Sequence, residues 1–391
     1  MGTYRPAPVR FVSGSGVRLV DDAGREYLDF LSGIAVTSLG HAHPAVRDAL
    51  CAQAGELLHV SNLFENALAE PVAALVDRVV GDGVPAGGRV FFANSGAEAN
   101  ECAIKLARRA SGPGRHGVLS ALGSFHGRTL ATLHATGQPA KHAPFAPLPE
   151  GFSHVPFGDL AALDAALDPA RVGAVLLEAI QGEGGVVPAP EGYLAGVRAL
   201  CDERGVLLIL DEIQTGLGRT GRWFAFQREG ILPDIVTIAK ALGNGVPVGA
   251  CWARAEVAAA FQPGDHGTTF GGQPLAMAAA RATLETMAEL GICARAASAG
   301  ERLAAALRAV PGVASVRGAG LLLGVVLEEG IDAAAVVADA LGEGLVANAP
   351  VPGVIRLAPP LIVSAQECDA AVAILARVLG TARAAIGRGA P

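Results

Sequence analysis

Between residues 88 and 270 the chain repeats one alternation. A short run rich in Val, Ile and Leu is followed by a longer stretch whose apolar positions recur every three to four residues. The runs are "RVFFAN" (89–94), "HGVLSAL" (116–122), "VGAVLLEAI" (172–180), "GVLLILDE" (205–212), "DIVTIAK" (234–240) and "VGACWA" (248–253). They lack the apolar/polar alternation of a strand with one wet face, so they predict strands covered on both sides. Intervening stretches such as 97–110 and 191–204 have helical spacing. Strands alternating with helices predict a mainly parallel sheet sandwiched between helix layers, and ligands in such sheets sit beyond the carboxyl ends of the strands.

The flanks have a different texture. "GVRLVDDAGREYLDF" (16–30) holds two short apolar segments around an Asp-Asp-Ala-Gly turn, which predicts a hairpin in a β arm, and "SGSG" (13–16) reads as a turn. Residues 44–59 and 70–80 carry helical spacing, and 273–290 reads as one long helix leaving the core. The last hundred residues read helix, strands at 313–327, helix, a strand at 354–358, helix. The expected organisation is an N-terminal arm with part of a small domain (1–60), a large domain (61–290) and a small α+β domain (291–391).

Composition sharpens this picture. Hydrophobic residues make up 51% and charged residues 17%, which builds a large core and excludes disorder. The net charge of −7 without runs of like charge, together with 5% aromatics, excludes a nucleic-acid or anionic-membrane partner. Six cysteines (51, 102, 201, 251, 293, 368) show no CxxC spacing and read as small buried hydrophobes in a reducing compartment. The N-terminus has no apolar signal region, and Pro6 stands where a myristoylation motif wants Ser or Thr. The best apolar run, "GLLLGVVL" (320–327), is strand-sized. A soluble, cytoplasmic protein is expected.

Three places could carry chemistry. In "FFANSGAEANECAIKLARR" (91–109) a strand meets a helix at Asn94-Ser95-Gly96, where free backbone N–H groups and the positive helix end suit either an ordinary N-cap or a bound phosphate. Asp211 closes a strongly apolar strand; a buried carboxylate there needs a partner, either a salt bridge or cap within the protein or a protonated ring nitrogen on a cofactor. Lys240 follows another apolar strand and precedes "ALGNGVPVG". Of the 30 basic residues 27 are arginine, leaving only Lys105, Lys141 and Lys240. Arginine stays charged, whereas a desolvated lysine loses its proton and attacks carbonyls, although a surface lysine after a strand is the plainer reading. Phosphate nest, strand-end Asp and strand-end Lys together suit pyridoxal 5′-phosphate. "GLGRTG" (216–221) also spells GxGxxG, but "DEIQT" separates it from the strand and "RWFAF" after it is a weak helix start, which disfavours a dinucleotide site. His41 and His43 in "GHAHP" lack accompanying carboxylates or cysteines and read as turn and capping residues; no metal site is expected.

These segments, with "SFHGRTLATLHATG", "LLEAIQGEGGV" and "HGTTFGGQPLAMA", resemble the class III, ornithine-type, pyridoxal-phosphate aminotransferases over nearly the whole chain. The resemblance implies the fold-type I α/β architecture and a homodimer. It implies that Lys240 bonds the cofactor covalently and that Asp211 pairs with its ring nitrogen. Ser95, Gly96 and Ala97 would form the phosphate loop. Phe125 would stack on the ring, with His126 beside it, while Ile213 and Gln214 pack its other face and touch the 3-hydroxyl. Thr269 would reach the phosphate of the partner subunit. For substrates it implies a carboxylate clamp at Arg128 with Thr268 nearby, and a switch in which Glu183 masks Arg356 and then releases it to hold the α-carboxylate of glutamate. Ala97 stands where Thr is common, Ala179 for a frequent Pro and Asn244 for a frequent Gly. The expected reaction moves an amino group from the δ-amine of N2-acetyl-L-ornithine to 2-oxoglutarate. Ornithine, 4-aminobutyrate or succinyl-diaminopimelate as donor, a mutase activity, and a binding protein that lost catalysis are the alternatives.

Overall fold

The computed structural model describes residues 1–389. Seven strands form the central sheet: β1 (Gly88–Ala93), β2 (Gly117–Ala121), β3 (Phe152–Val155), β4 (Val172–Glu178), β5 (Leu207–Asp211), β6 (Ile235–Ile238) and β7 (Gly249–Arg254). Their spatial order is β1-β7-β6-β5-β4-β2-β3. All neighbours run parallel except β7, which is antiparallel to both β1 and β6. Every residue of β4 and β6 is buried, as their unbroken apolar runs require. The register aligns the strand ends: Asp211 of β5 lies opposite Glu178 of β4 on one side and Thr237 of β6 on the other. Parallel pairing therefore collects the residues that end or follow these strands on one edge of the sheet.

Helix α1 (Gly96–Ser111) leaves that edge directly after β1. Ser95 is extended at the N-cap and its Oγ accepts the Glu98 N–H at 3.2 Å, while the Glu98 carboxylate accepts the Asn94 N–H at 2.6 Å. Reciprocal bonds of this kind satisfy N–H groups that the first turn otherwise leaves free. Ala99, Cys102, Ala103, Leu106 and Ala107 turn into the core, and Gly112, at φ 81°, ends the helix. On other stretches α2 (Leu130–Ala135) and α3 (Tyr193–Arg204) cover the sheet, and α4 (Pro274–Glu289) leads out of it.

Both chain ends meet in a second unit. Strands at Arg18–Asp21 and Glu26–Asp29 form the expected hairpin, and Leu345–Val346 adds beside Glu26–Asp29 in parallel. An antiparallel sheet ordered 313–319, 322–327, 354–357, 348–351 carries Arg356 on its third strand. Arg219 ties this unit to the core: it is fully buried, donates to the Leu321 and Pro359 carbonyls and reaches Ser38 Oγ at 3.1 Å. Burial pulls its pKa down to about 9, with Asp29 opposing.

Several boundaries differ from the expectations. The helix starting at Pro44 stops at Ala54, where Gly55 follows, rather than running to 59. "SGSG" lies mostly within the strand Phe11–Ser15, and only Gly16, at φ 56°, makes the turn. The edge strand Phe152–Val155 and the short helices Leu130–Ala135 and Leu160–Ala166 went unread, because elements this short offer too few positions for a period to show. No helix among the described residues is long and apolar enough to cross a membrane.

Candidate active site

A cavity of about 400 Å3 opens at the carboxyl ends of β4, β5 and β6. Ser95, Gly96 and Ala97 at the N-terminus of α1 line one wall; Phe125 and Arg128 another; Asp211, Ile213, Gln214, Glu183 and Lys240 complete it. Residues as distant in sequence as Val36 and Val248 thus share one space, because the sheet register gathers the strand ends between them.

Asp211 is 4% exposed and held from three directions. Its Oδ2 accepts from Asn100 Nδ2 at 2.8 Å and lies 2.8 Å from His126 Nδ1, and its Oδ1 accepts the Ile213 N–H at 3.1 Å. Asn100 is itself locked, donating to the His126 carbonyl and accepting from Thr237 Oγ1, both at 2.8 Å. The carboxylate is thereby fixed in direction.

Lys240 follows β6 in the left-handed region, φ 43°, a conformation that costs a non-glycine residue roughly 1–3 kcal/mol. Burial and the nearby Arg356 charge pull its amine down to about 8, against the opposing fields of Glu183, Asp211 and Glu178. An amine with that value is neutral in part near physiological pH and can act as nucleophile and base.

Arg356 is fully buried and pairs with Glu183; its Nη1 also donates to Gln214 Oε1 at 3.0 Å and its Nε to Asn348 Oδ1 at 3.1 Å. Its Nη2 is buried with no hydrogen-bond partner among the described residues. Burial raises the Glu183 carboxyl, but the Arg356 charge and hydrogen bond, with Lys240 and Lys141 behind them, prevail and the net shift is downward. At Gly182 a Cβ would lie 2.2 Å from Gln214 Oε1, so a side chain there would displace the Gln214 amide from Arg356. At Gly96 a Cβ would stand 2.7 Å from Ile213 Cδ1 and push that side chain.

Arg128 is exposed at the cavity mouth, with its guanidinium 5.6 Å from the Phe125 ring centroid. Thr268 and Thr269 are not in this cavity. They line neighbouring hollows on the outer side of β1 with His266, Gly267 and Phe91, and Asn94 links the two regions through a 3.3 Å bond to Thr268 Oγ1. His41 pairs with Asp29 at 2.7 Å, and His43 precedes a helix without a side-chain cap bond. After β5 the "GLGRTG" segment is a series of turns that opens no helix.

Two site residues went unread in the sequence. Glu178 lies in the wall of the cavity and accepts the Phe125 N–H at 3.0 Å and the Gly182 N–H at 3.2 Å, so one carboxyl holds both the aromatic loop and the loop bearing Glu183. Burial lifts it to about 7, with His126 pulling down and Asp211 pushing up. It ends β4 as Asp211 ends β5, and the same signal of an acid closing an apolar run marks it. Asn100 announced itself as a polar residue on the buried face of α1.

Comparison with known proteins defines the class. The aminotransferase class-III family model matches residues 3–379, and the chain belongs to that pyridoxal-phosphate-dependent family. It is 52% identical over 384 residues to the acetylornithine aminotransferase of Corynebacterium efficiens, covering 97% of this chain and 94% of that one. Among solved structures, an ornithine aminotransferase from Toxoplasma gondii, crystallised in the presence of oxidised glutathione with partial occupancy of PLP at its active site, superposes with a TM-score of 0.92 at 36% identity, covering 98% and 92% of the two chains. N-acetylornithine aminotransferase from Stenotrophomonas maltophilia superposes with a TM-score of 0.84 at 37% identity, covering 98% of each chain.

Proposed function

We propose that this enzyme transfers the δ-amino group of N2-acetyl-L-ornithine to 2-oxoglutarate, giving N-acetylglutamate semialdehyde and glutamate, as a cytoplasmic step of arginine biosynthesis. The observation that carries the reading is the single cavity lined by Lys240, Asp211, the α1 N-terminus, Arg128 and Glu183, with Arg356 paired to Glu183 beside it.

The residues fit pyridoxal phosphate. The N-terminus of a sixteen-residue helix opens on the cavity and suits a phosphate, with Ser95, Gly96 and Ala97 supplying N–H groups. Asp211 would hold a proton on the pyridine nitrogen, and its three fixed hydrogen bonds keep it aimed. Phe125 and Ile213 would cover the two ring faces, with Gln214 near the 3-hydroxyl. When bound, the cofactor supplies an aldehyde that takes up the substrate amine and a ring that stabilises negative charge on the carbon next to it.

The chain does the rest. Lys240 would hold the cofactor between turnovers, and its amine, once released, takes the proton from the amine-bearing carbon and returns one at the other end of the transfer. Arg128 would grip the carboxylate remote from that carbon. Glu183 keeps Arg356 neutralised while the monocarboxylate donor reacts. The Arg356 Nη2, which has no partner, is the donor that an incoming α-carboxylate would engage when Glu183 swings away. Bidentate Arg–carboxylate bonds are directional, and an unpaired buried guanidinium is costly, so the exchange of one carboxylate for another is favoured. Thr269 would reach the phosphate bound by a second copy, which makes the active form a homodimer.

The test is a donor panel assayed with 2-oxoglutarate: acetylornithine, ornithine, 4-aminobutyrate and succinyl-diaminopimelate. The expected result is the highest kcat/KM for acetylornithine. A higher value for another donor reassigns the substrate, and inertness toward all four overturns the activity.

A further inference from the structure

Arg128 is not the only cation at the mouth of the cavity. Lys141, one of the three lysines, brings its Nζ to 5.3 Å from the Phe125 ring centroid, so two cations share that ring. Lys141 is held there. Its ammonium donates to Gln138 Oε1, and Gln138 Nε2 donates to the Ser124 carbonyl at 2.9 Å. Gly123 N–H bonds the Gly137 carbonyl at 2.7 Å, and Gly137 N–H bonds Ser124 Oγ at 2.9 Å. The short helix Pro139–His142 is thus stitched to the loop that carries Phe125 and Arg128.

Neither cation has a carboxylate partner within ion-pair distance among the described residues. The nearest acid in the cluster, Glu183, is committed to Arg356. Burial lowers the Lys141 amine, and Arg128 adds to that while Glu183 opposes it, so the three side chains share one electrostatic field. The two cations differ in place: Arg128 is among the residues that line the cavity, and Lys141 is not, although both lie over the same Phe125 ring.

The two substrates of the proposed reaction differ in the same dimension. Measured from the carbon that carries or receives the amine, the remote carboxylate of acetylornithine lies one carbon–carbon bond further out than that of 2-oxoglutarate. We propose that Lys141 is a specificity-determining residue that contacts the longer donor. The acetylornithine carboxylate rests between Arg128 and Lys141, and the 2-oxoglutarate carboxylate rests on Arg128 alone. This assignment depends on the functional reading above. It explains how one site accepts two carboxylates at two depths without moving its walls, and it predicts discrimination against donors of the shorter length, such as 4-aminobutyrate.

The test compares Lys141→Met and Lys141→Arg with the wild-type holoenzyme. In Lys141→Met, kcat/KM for the acetylornithine half-reaction should fall about tenfold, the scale of one partly exposed charge-assisted bond, and the 2-oxoglutarate half-reaction should stay within about twofold. Lys141→Arg should restore most of the loss. Calorimetry with unreactive analogues supplies a second readout: N-acetyl-L-norvaline should bind about tenfold more weakly to Lys141→Met, and glutarate equally to both proteins. Equal losses on both substrates, or none on either, overturn the assignment while leaving the activity standing. A wild-type enzyme inert toward acetylornithine overturns the functional reading and the Lys141 assignment with it.

Discussion

At the scale of single residues, Lys240 concentrates most of the consequences. Its amine titrates near 8 in the folded chain against 10.5 for an ordinary lysine. Between those values this lysine binds more protons in the unfolded chain than in the folded one, so its contribution to the stability of the cofactor-free protein should rise with pH. The penalty for the buried charge is fully present below about pH 8 and relieved as pH approaches 10.5, on the order of 3 kcal/mol in all. The buried thiols of Cys201, Cys293 and Cys368 are pushed up and act with the opposite sign above about pH 9, so the lysine is read by comparison: in urea denaturation of the cofactor-free proteins from pH 7 to pH 10.5, the stability of wild type relative to Lys240→Ala should rise with pH. The same variant should keep the fold, lose the visible absorption of lysine-bound pyridoxal phosphate and lose transamination. Full activity in Lys240→Ala would refute its assigned role. Lys240 and Asp211 were legible because each breaks the apolar run it terminates. Arg356 was legible only through family resemblance: by periodicity alone it is one more arginine on a short strand, and its pairing with Glu183 spans 173 residues of sequence.

At the scale of elements, the strand–helix junction from β1 into α1 links structure to cofactor. Ser95 caps the helix, Asn100 on its inner face orients Asp211, and the N–H groups of its first turn face the cavity. Asn100→Leu keeps the size and helical preference of the position but removes the donor to Asp211 and the acceptor for Thr237. A buried acceptor left unpaired costs about 1–3 kcal/mol, so this variant should melt earlier and bind pyridoxal phosphate more weakly. Thermal melting and cofactor titration measure the two effects; unchanged values for both would remove Asn100 from the site. Helix and strand types followed from periodicity across most of the chain. The elements that went unread are short ones, such as Phe152–Val155 and Leu160–Ala166, whose length leaves too few periodic positions to outweigh local turn signals.

At the scale of the whole molecule, one exposed surface stands out beside the Thr268–Thr269 loop. Leu63, Phe64 and Phe270 are 86%, 68% and 64% exposed, and Asn62 ties their two segments together through bonds to the Thr268 and Gly271 carbonyls. Exposed apolar side chains grouped beside that loop suit the interface of the proposed homodimer. Sedimentation should give twice the 39.4 kDa chain mass. Phe270→Asp should shift the population toward monomer and reduce activity in parallel, because each site would lose the threonine contributed by its partner. A fully active monomer would remove Thr269 from the mechanism.

The sequence by itself determined the layered α/β plan, the strands buried on both faces and the acids and amine that close them, since these follow from local periodicity and from polar residues placed where burial makes them costly. Only the tertiary structure decided which of those groups meet. Strand order and register placed Glu178 beside Asp211, folded the C-terminal strand so that Arg356 faces Glu183, and the loops brought Lys141 and Arg128 to the same Phe125 ring. The reason is physical: a pairing across a hundred residues is chosen by the packing of the whole sheet and its flanking units, and no short window of sequence contains that free energy.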